Sequence, residues 1–253
     1  AEPGRLTLQR LPGSSRVVVS GQIPAKAAPF ARTASVDNPT AFFVSAFRDA
    51  LVAEGIQVNG DAIDIDDFLA KPDLTSARTL VSYKSAPLRQ IAASMMKVSQ
   101  NQYAEILLKT IGGRDKARNV LRSWDLSDDS YVIADGSGLS RYNYVTSTAL
   151  VGILQRMRAD PKHSSAFVEA LPVTGRDGTL SKRLAGTAAE GRVRAKTGTV
   201  DNARAIAGYV DTASGETLIF SIIANNFTAA TSTIDAAADK ALIRLATFSR
   251  HKP

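Results

Sequence analysis

Two apolar runs near the C-terminal end, Ala203 to Asp211 and Thr217 to Asn225, are joined by the short Gly-bearing link Thr212-Ala-Ser-Gly-Glu216. Runs rich in Ile, Val, Phe and Tyr around such a link predict an antiparallel hairpin. The stretch before it, Gly191-Arg-Val-Arg-Ala-Lys-Thr-Gly-Thr-Val200, reads as a further strand at a sheet edge. After it, Thr231 to Phe248 is amphipathic, with Ile234, Ala238, Leu242 and Leu245 on one helical face. A sheet and a helix that are each apolar on one side bury those sides against other elements. The chain is therefore predicted to be mixed α/β, with a largely antiparallel sheet covered by helices and a helical lobe before it.

Earlier in the chain, Arg16 to Ser20 predicts a strand, and Gly21 to Pro29 is rich in turn residues. Asp37-Asn38-Pro39 is a helix start, a capping side chain followed by Pro at the first helical position. Phe43, Phe47, Ala50 and Leu51 then share a face, and Gly55 ends the helix. Residues 59–72 are polar and irregular, so a domain boundary is expected near 60, dividing the chain into 1–60 and 61–253. Thr79 to Tyr83 predicts a strand. Two helices follow, one from Ser85-Ala-Pro-Leu88 through Ile91, Met95 and Met96, the other from Asn101 to Ile111, stopped by Gly112-Gly113. Tyr131 to Asp135 predicts a strand entering the loop Gly136 to Arg141, Thr146 or Ser147 caps a helix to Met157, and Leu171 to Leu180 is loop.

The 253 residues are 44% hydrophobic and 22% charged, enough for one large domain or a domain plus a piece of another. No apolar window is long enough to span a bilayer. Cysteine is absent, which excludes disulfides and cysteine nucleophiles. The two histidines, His163 and His251, are far apart, so neither a zinc site nor a Ser-His-Asp triad is expected. The opening Ala1-Glu2-Pro3-Gly4 lacks the charged and apolar regions of a signal peptide, and a chain processed or cut from something longer is expected. The formal charge of +7 suits an anionic wall polymer or simply a surface with scattered Arg and Lys. No dense basic run with interleaved aromatics is present, so nucleic acid is not an expected partner.

Chemistry concentrates in Lys196-Thr197-Gly198-Thr199. A Lys on an edge strand holds positive charge in a cleft. Thr197 offers a hydroxyl to a carboxylate, and Gly198 removes the side chain that would keep another backbone away. Together they suit a peptide that ends in a free carboxylate and lies along the strand. A second candidate is Lys97-Val-Ser-Gln-Asn101 between the two helices, where Ser99 and Asn101 are two apart. Spacing alone leaves Ser99 open as the N-cap of the second helix.

Several segments then agree. Met96-Lys-Val-Ser-Gln-Asn-Gln-Tyr-Ala-Glu105, Asp135-Gly-Ser-Gly-Leu-Ser-Arg141, Gly175-Arg-Asp-Gly-Thr-Leu180, Ala195-Lys-Thr-Gly-Thr199 and Ala207-Gly-Tyr209 occur in one order. In them the chain resembles the low-molecular-mass, class C penicillin-binding proteins of the D-alanyl-D-alanine carboxypeptidase/endopeptidase type, the DacB-like S13 peptidases. The resemblance implies the penicillin-binding protein/serine β-lactamase-like transpeptidase fold, a periplasmic or otherwise extracytoplasmic setting in a bacterial envelope, and no cofactor or metal. It implies acyl transfer through a serine ester on a stem peptide ending in D-Ala-D-Ala, a reaction that β-lactams intercept. Ser99 matches the Ser of the family's Ser-x-Asn motif, whose middle residue is commonly Asp and here is Gln100. By resemblance Ser99 passes a proton to the leaving amine and Asn101 holds the substrate amide and the general-base Lys. Lys196 pairs with Ser99 and Thr197 binds the terminal carboxylate. Gly198 leaves room for the peptide, and the Thr199 N–H supplies an oxyanion donor. Asp135 to Arg141 is expected to be a glycine-shaped supporting turn.

The family's nucleophile sits in a Ser-x-x-Lys motif that opens a helix, well upstream of Ser-x-Asn. Here that string occurs as Ser94-Met-Met-Lys97, too close to Ser99 to face it across a cleft, and as Ser249-Arg-His-Lys252 in the tail. The expectation is that the motif is missing. Residues 1–60 would then be the end of an inserted domain, 61–253 an N-terminally incomplete peptidase domain, and the isolated chain inactive. A separate N-terminal fragment carrying the nucleophile would complete it. The rival readings are a wall-peptide or β-lactam receptor without turnover, and a class A β-lactamase, against which the stretches at Asp135 and Gly175 speak.

Overall fold

The fold is known from a computed structural model that describes residues 5–29 and 31–250. The chain divides into two compact units between Ser82 and Tyr83, later than the boundary expected near 60. From Lys71 to Pro87 the chain stays without helix or strand, so irregular sequence alone does not mark where the first unit ends.

In the first unit, β1 (Arg5–Arg10) pairs antiparallel with β2 (Val17–Gln22). Helix α1 (Pro39–Ala53) starts as its sequence dictates: the Asn38 side chain accepts the Ala41 N–H at 2.9 Å, and Pro39 occupies a position that needs no donor. Phe43 and Phe47 stack one turn apart, ring centroids 6.2 Å from each other, on the expected face. Both rings remain more than half exposed.

The expected strand at Thr79 to Tyr83 does not form. Its β-branched and aromatic composition favours extension, but a strand exists only through a partner, and no described residue pairs with it.

The second unit is organised by β5 (Val193–Val200), β6 (Ala203–Asp211) and β7 (Thr217–Asn225), a three-stranded antiparallel meander in that order. Register runs from Val193 opposite Val210 to Val200 opposite Ala203, and from Ala203 opposite Asn225 to Asp211 opposite Thr217. Alternation gives the sheet two faces. Val193, Ala195, Ile206, Val210 and Phe220 pack with Leu180 and Leu184 and with Leu242 and Ala246 of α7 (Thr231–Ala246). Arg183 fastens that helix, its Nε donating to Asp239 at 2.6 Å. On the other face lie Tyr209, Ala207 and Ile219 with Leu171, with Met96 of α2 (Leu88–Val98) and with Leu154 of a later helix. The Tyr209 ring is buried and its hydroxyl donates to the Leu154 carbonyl at 2.7 Å. Burial pushes that phenol up to about 12.

Helices α3 (Asn101–Thr110), α4 (Gly113–Ser123), α5 (Ser147–Ala159, which carries Leu154) and α6 (Ser164–Ala170) complete the lobe. The Thr146 hydroxyl caps α5, accepting from Ala149 N at 3.1 Å. Only Tyr131–Val132 (β3) of the strand expected to reach Asp135 pairs, with Tyr144–Val145 (β4). The amides of Ala134 and Asp135 turn instead to the Asn143 side chain, at 2.8 and 3.4 Å.

At Gly208 β6 lies hard against β5. A Cβ there would lie 2.1 Å from the Arg194 carbonyl oxygen and 2.6 Å from the Ala195 Cα, backbone atoms that have no rotamer to escape into. Gly208→Ala is expected to destabilise the second unit by about 3 kcal/mol, the upper range for overpacking a core. Denaturant unfolding followed at the single Trp124, which lies in this unit, measures it.

Candidate active site

Helix α2 ends because Ser99 enters the left-handed region, at φ 59° and ψ 54°. A non-glycine residue pays about 1 kcal/mol or more to sit there. The helix is interrupted for only two residues, and α3 begins at Asn101 with Gln100, not Ser99, as its N-cap. The Ser99 hydroxyl is thus not spent on capping. It points at the sheet, where the Lys196 ammonium donates to its Oγ at 2.7 Å and to the Thr197 carbonyl at 2.6 Å. Burial lowers the Lys196 amine from the ordinary lysine range.

Lys196 reaches Ser99 because of the strand period. Val193 and Ala195 face α7, so Arg194, Lys196 and Gly198 face the helical lobe. The ladder fixes the other direction. Arg192 and Asp211 exchange a bond at 2.9 Å, so the even-numbered residues of β5 bond to β6 and the odd-numbered ones turn outward. The outward groups of Val193 and Ala195 are taken by Thr174 N and Pro172 O, both at 3.0 Å. From Thr197 on, that edge opens into a cleft of about 480 Å³.

Ser99, Asn101, Lys196, Thr197, Gly198 and Thr199 all line this cleft, with Met95, Met96, Ala104, Leu139 and Thr179. The sequence candidates, drawn from two segments about a hundred residues apart in the chain, are brought together. Thr179 was not singled out as a site residue, yet its hydroxyl lies 3.2 Å from that of Thr197. It follows Gly178, where a Cβ would come within 2.4 Å of the Lys97 carbonyl oxygen. The Arg-Asp-Gly-Thr string therefore marks a close approach between loop and helix, the signal that could have found Thr179.

The loop Asp135 to Arg141 forms another wall, through Gly136, Ser137, Gly138 and Leu139. Glu105 on α3 accepts the amides of Gly136 and Ser137 at 3.1 and 2.9 Å, and hydrogen bonds from Ser137 and Gly136 hold its carboxyl below the ordinary range. Burial works to raise Asp135, but Asn143, Ser140, Gly138 and Ser137 outweigh it, so this carboxyl also lies low. At Gly136 a Cβ would sit 2.5 Å from the Ala104 carbonyl oxygen, so the loop rests directly on α3.

The Ser94-Met-Met-Lys97 string does not face the cleft as a pair. Ser94 is exposed and away from the lining, and the Lys97 ammonium donates to the Leu171 carbonyl at 2.6 Å and to Asp177 at 2.7 Å. Of the tail string Ser249 to Lys252, the last two residues lie outside the described residues, as does His251. His163 sits against Asp160 at 3.1 Å and does not line the cleft.

Comparison with known proteins shows the family and the fold. The profile of the D-Ala-D-Ala carboxypeptidase 3 (S13) family matches residues 2–245. A D-alanyl-D-alanine carboxypeptidase of Actinomadura sp. (strain R39) is 35% identical over 263 aligned residues, covering 98% of this chain and 48% of that protein. The D-alanyl-D-alanine carboxypeptidase DacB of Haemophilus influenzae is 27% identical over 228 residues, covering 85% and 46%. The chain thus spans about half the length of the relatives it matches. Among solved structures, penicillin binding protein 4 (dacB) from H. influenzae, complexed with a β-lactam, superposes with a TM-score of 0.79 at 24% identity, over 97% of this chain and 60% of that one. The fold is that of the penicillin-binding proteins, and with the family profile matched along nearly its whole length the chain belongs to the D-Ala-D-Ala carboxypeptidase (S13) family.

Proposed function

We propose that the cleft is one half of a serine-type D-alanyl-D-alanine carboxypeptidase/endopeptidase site acting on peptidoglycan stem peptides outside the cytoplasm, with the attacking serine supplied by residues beyond this chain. The observation that carries the reading is the Lys196–Ser99 contact beside an open strand edge. The first unit, which ends at Ser82, is then the end of an inserted domain.

In this mechanism the substrate's C-terminal D-alanines lie along β5, bonding the outward groups of Thr197 and Thr199 as an added strand would. Gly198 has an ordinary backbone, and a Cβ there would meet only the Ala205 methyl at 3.6 Å. The fold itself has room for a side chain at 198. The requirement for glycine comes from what approaches outside. The hydroxyls of Thr197 and Thr179 face the terminal carboxylate, and the Lys196 ammonium supplies the positive field. The incoming serine gives its proton to the general-base Lys of its own motif and attacks the carbonyl between the two D-alanines, and the Thr199 N–H donates to the oxyanion. Ser99, held by Lys196, hands a proton to the departing D-alanine amine, and Asn101 orients the substrate amide and the base. Water then cleaves the ester. The receptor reading, binding without turnover, draws on Lys97 being engaged away from the cleft.

Fluorescent penicillin is expected to leave the isolated chain unlabelled, and to acylate a longer polypeptide that joins it to a serine-bearing segment. In that polypeptide Ser99→Ala or Lys196→Ala should lower the acylation rate by about 10²- to 10⁴-fold, the usual worth of a placed proton-transfer group. Stoichiometric labelling of the isolated chain, or reversible binding of the longer one without acylation, would contradict the mechanism.

The lowered Lys196 amine has a thermodynamic counterpart. The unfolded chain binds a proton at this residue more tightly than the folded one, so unfolding takes up protons between the folded value and the ordinary one. Stability should rise as pH climbs through that window, and the slope should vanish in Lys196→Met. Competitive amine labelling across pH, read by mass spectrometry, should place the half-point of Lys196 below the ordinary lysine value.

A further inference from the structure

We propose that Lys97 and Asp177 are positioning residues, a brace that sets the Ser99 hydroxyl against Lys196. The inference deepens the peptidase reading of the cleft and rests on it. Lys97 lies two residues before Ser99, on the last turn of α2. Its ammonium is turned away from the cleft and clamps two acceptors, the Leu171 carbonyl at 2.6 Å and the Asp177 carboxylate at 2.7 Å. The other carboxylate oxygen of Asp177 accepts the Val173 N–H at 2.9 Å, which fixes its orientation. Val173 is bridged to Arg194 on β5, and its neighbour Thr174 donates to the Val193 carbonyl at 3.0 Å.

A continuous path therefore runs from the helix end bearing Ser99 to the strand bearing Lys196. One residue beyond Asp177, Gly178 packs its backbone on the Lys97 carbonyl. One further, Thr179 meets Thr197. The loop is pinned to the helix on one side and to the strand on the other, which fixes the two elements that carry Ser99 and Lys196 relative to each other. An exposed ion pair would add little. Lys97, however, is only 23% exposed and engages two acceptors, so an apolar replacement leaves a carbonyl and a carboxylate without their donor. Ser99 also occupies a backbone region that costs energy, and such a residue stays there only when its surroundings hold it. Neither Lys97 nor Asp177 lines the cleft. Both act through Ser99.

Two measurements test the brace. Asp177→Asn keeps an oxygen for the Val173 amide and removes the charge, Lys97→Met removes the clamp, and Lys97→Arg restores the cation. On this chain, competitive labelling of Lys196 across pH should shift toward the ordinary lysine value in Asp177→Asn and Lys97→Met, and return in Lys97→Arg, with the protein still folded by circular dichroism. In the longer polypeptide, β-lactam acylation should fall about 10- to 100-fold in the first two variants, the cost of misplacing a reacting group by about an ångström, and largely recover in the third. Unchanged Lys196 titration in both disruptive variants overturns the brace, as does acylation lost only in step with unfolding. Full acylation in Lys196→Ala overturns the peptidase reading instead, and the labelling arm, which needs no catalysis, then decides the brace alone.

Discussion

A single ammonium-to-hydroxyl contact, Lys196 to Ser99, joins the sheet to the helical lobe at the point where chemistry is expected. Everything around it serves that contact. The strand period aims Lys196 at the lobe. The left-handed turn at Ser99 frees a hydroxyl that a regular helix start would have used for capping. Partial burial of the ammonium makes its interactions stronger than the same pair would have in water, at the cost of a lowered proton affinity.

Glycines set the spacing. Gly136, Gly178 and Gly208 each bring two backbone segments nearer than any Cβ would allow. The first seats a loop on α3, the second seats a loop on α2, and the third closes β6 onto β5. Gly198 differs, since the protein leaves space around it. Three glycines are thus explained by the fold, and Gly198 is not.

Much of this was legible in the sequence where the governing interactions are local. The hairpin at Ala203 to Asn225 and the start of α1 at Asn38 were placed correctly because alternation and capping act over a few residues. The same holds for the edge position of the Lys196 strand among the described strands. The Thr79 to Tyr83 strand and the far half of Tyr131 to Asp135 failed, since pairing depends on a partner elsewhere. The boundary between units was displaced for a similar reason, because polar composition marks irregular chain but not the body it packs with. For the site, the motifs drew attention to Ser99 and Lys196, which the fold brings into contact, whereas Thr179 and Glu105 were passed over because their contacts depend on loops whose path only the glycines Gly178 and Gly136 hint at.

The two partners of the central contact are 97 residues apart in the chain, whereas β5, β6 and β7 follow one another directly. Sequence-local pairing closes quickly, and long-range closure bears a larger entropic penalty before any contact rewards it. The strand half of the site is therefore expected to form ahead of the serine half. The pair can meet only once the intervening residues have condensed, which places this contact among the later steps expected in folding.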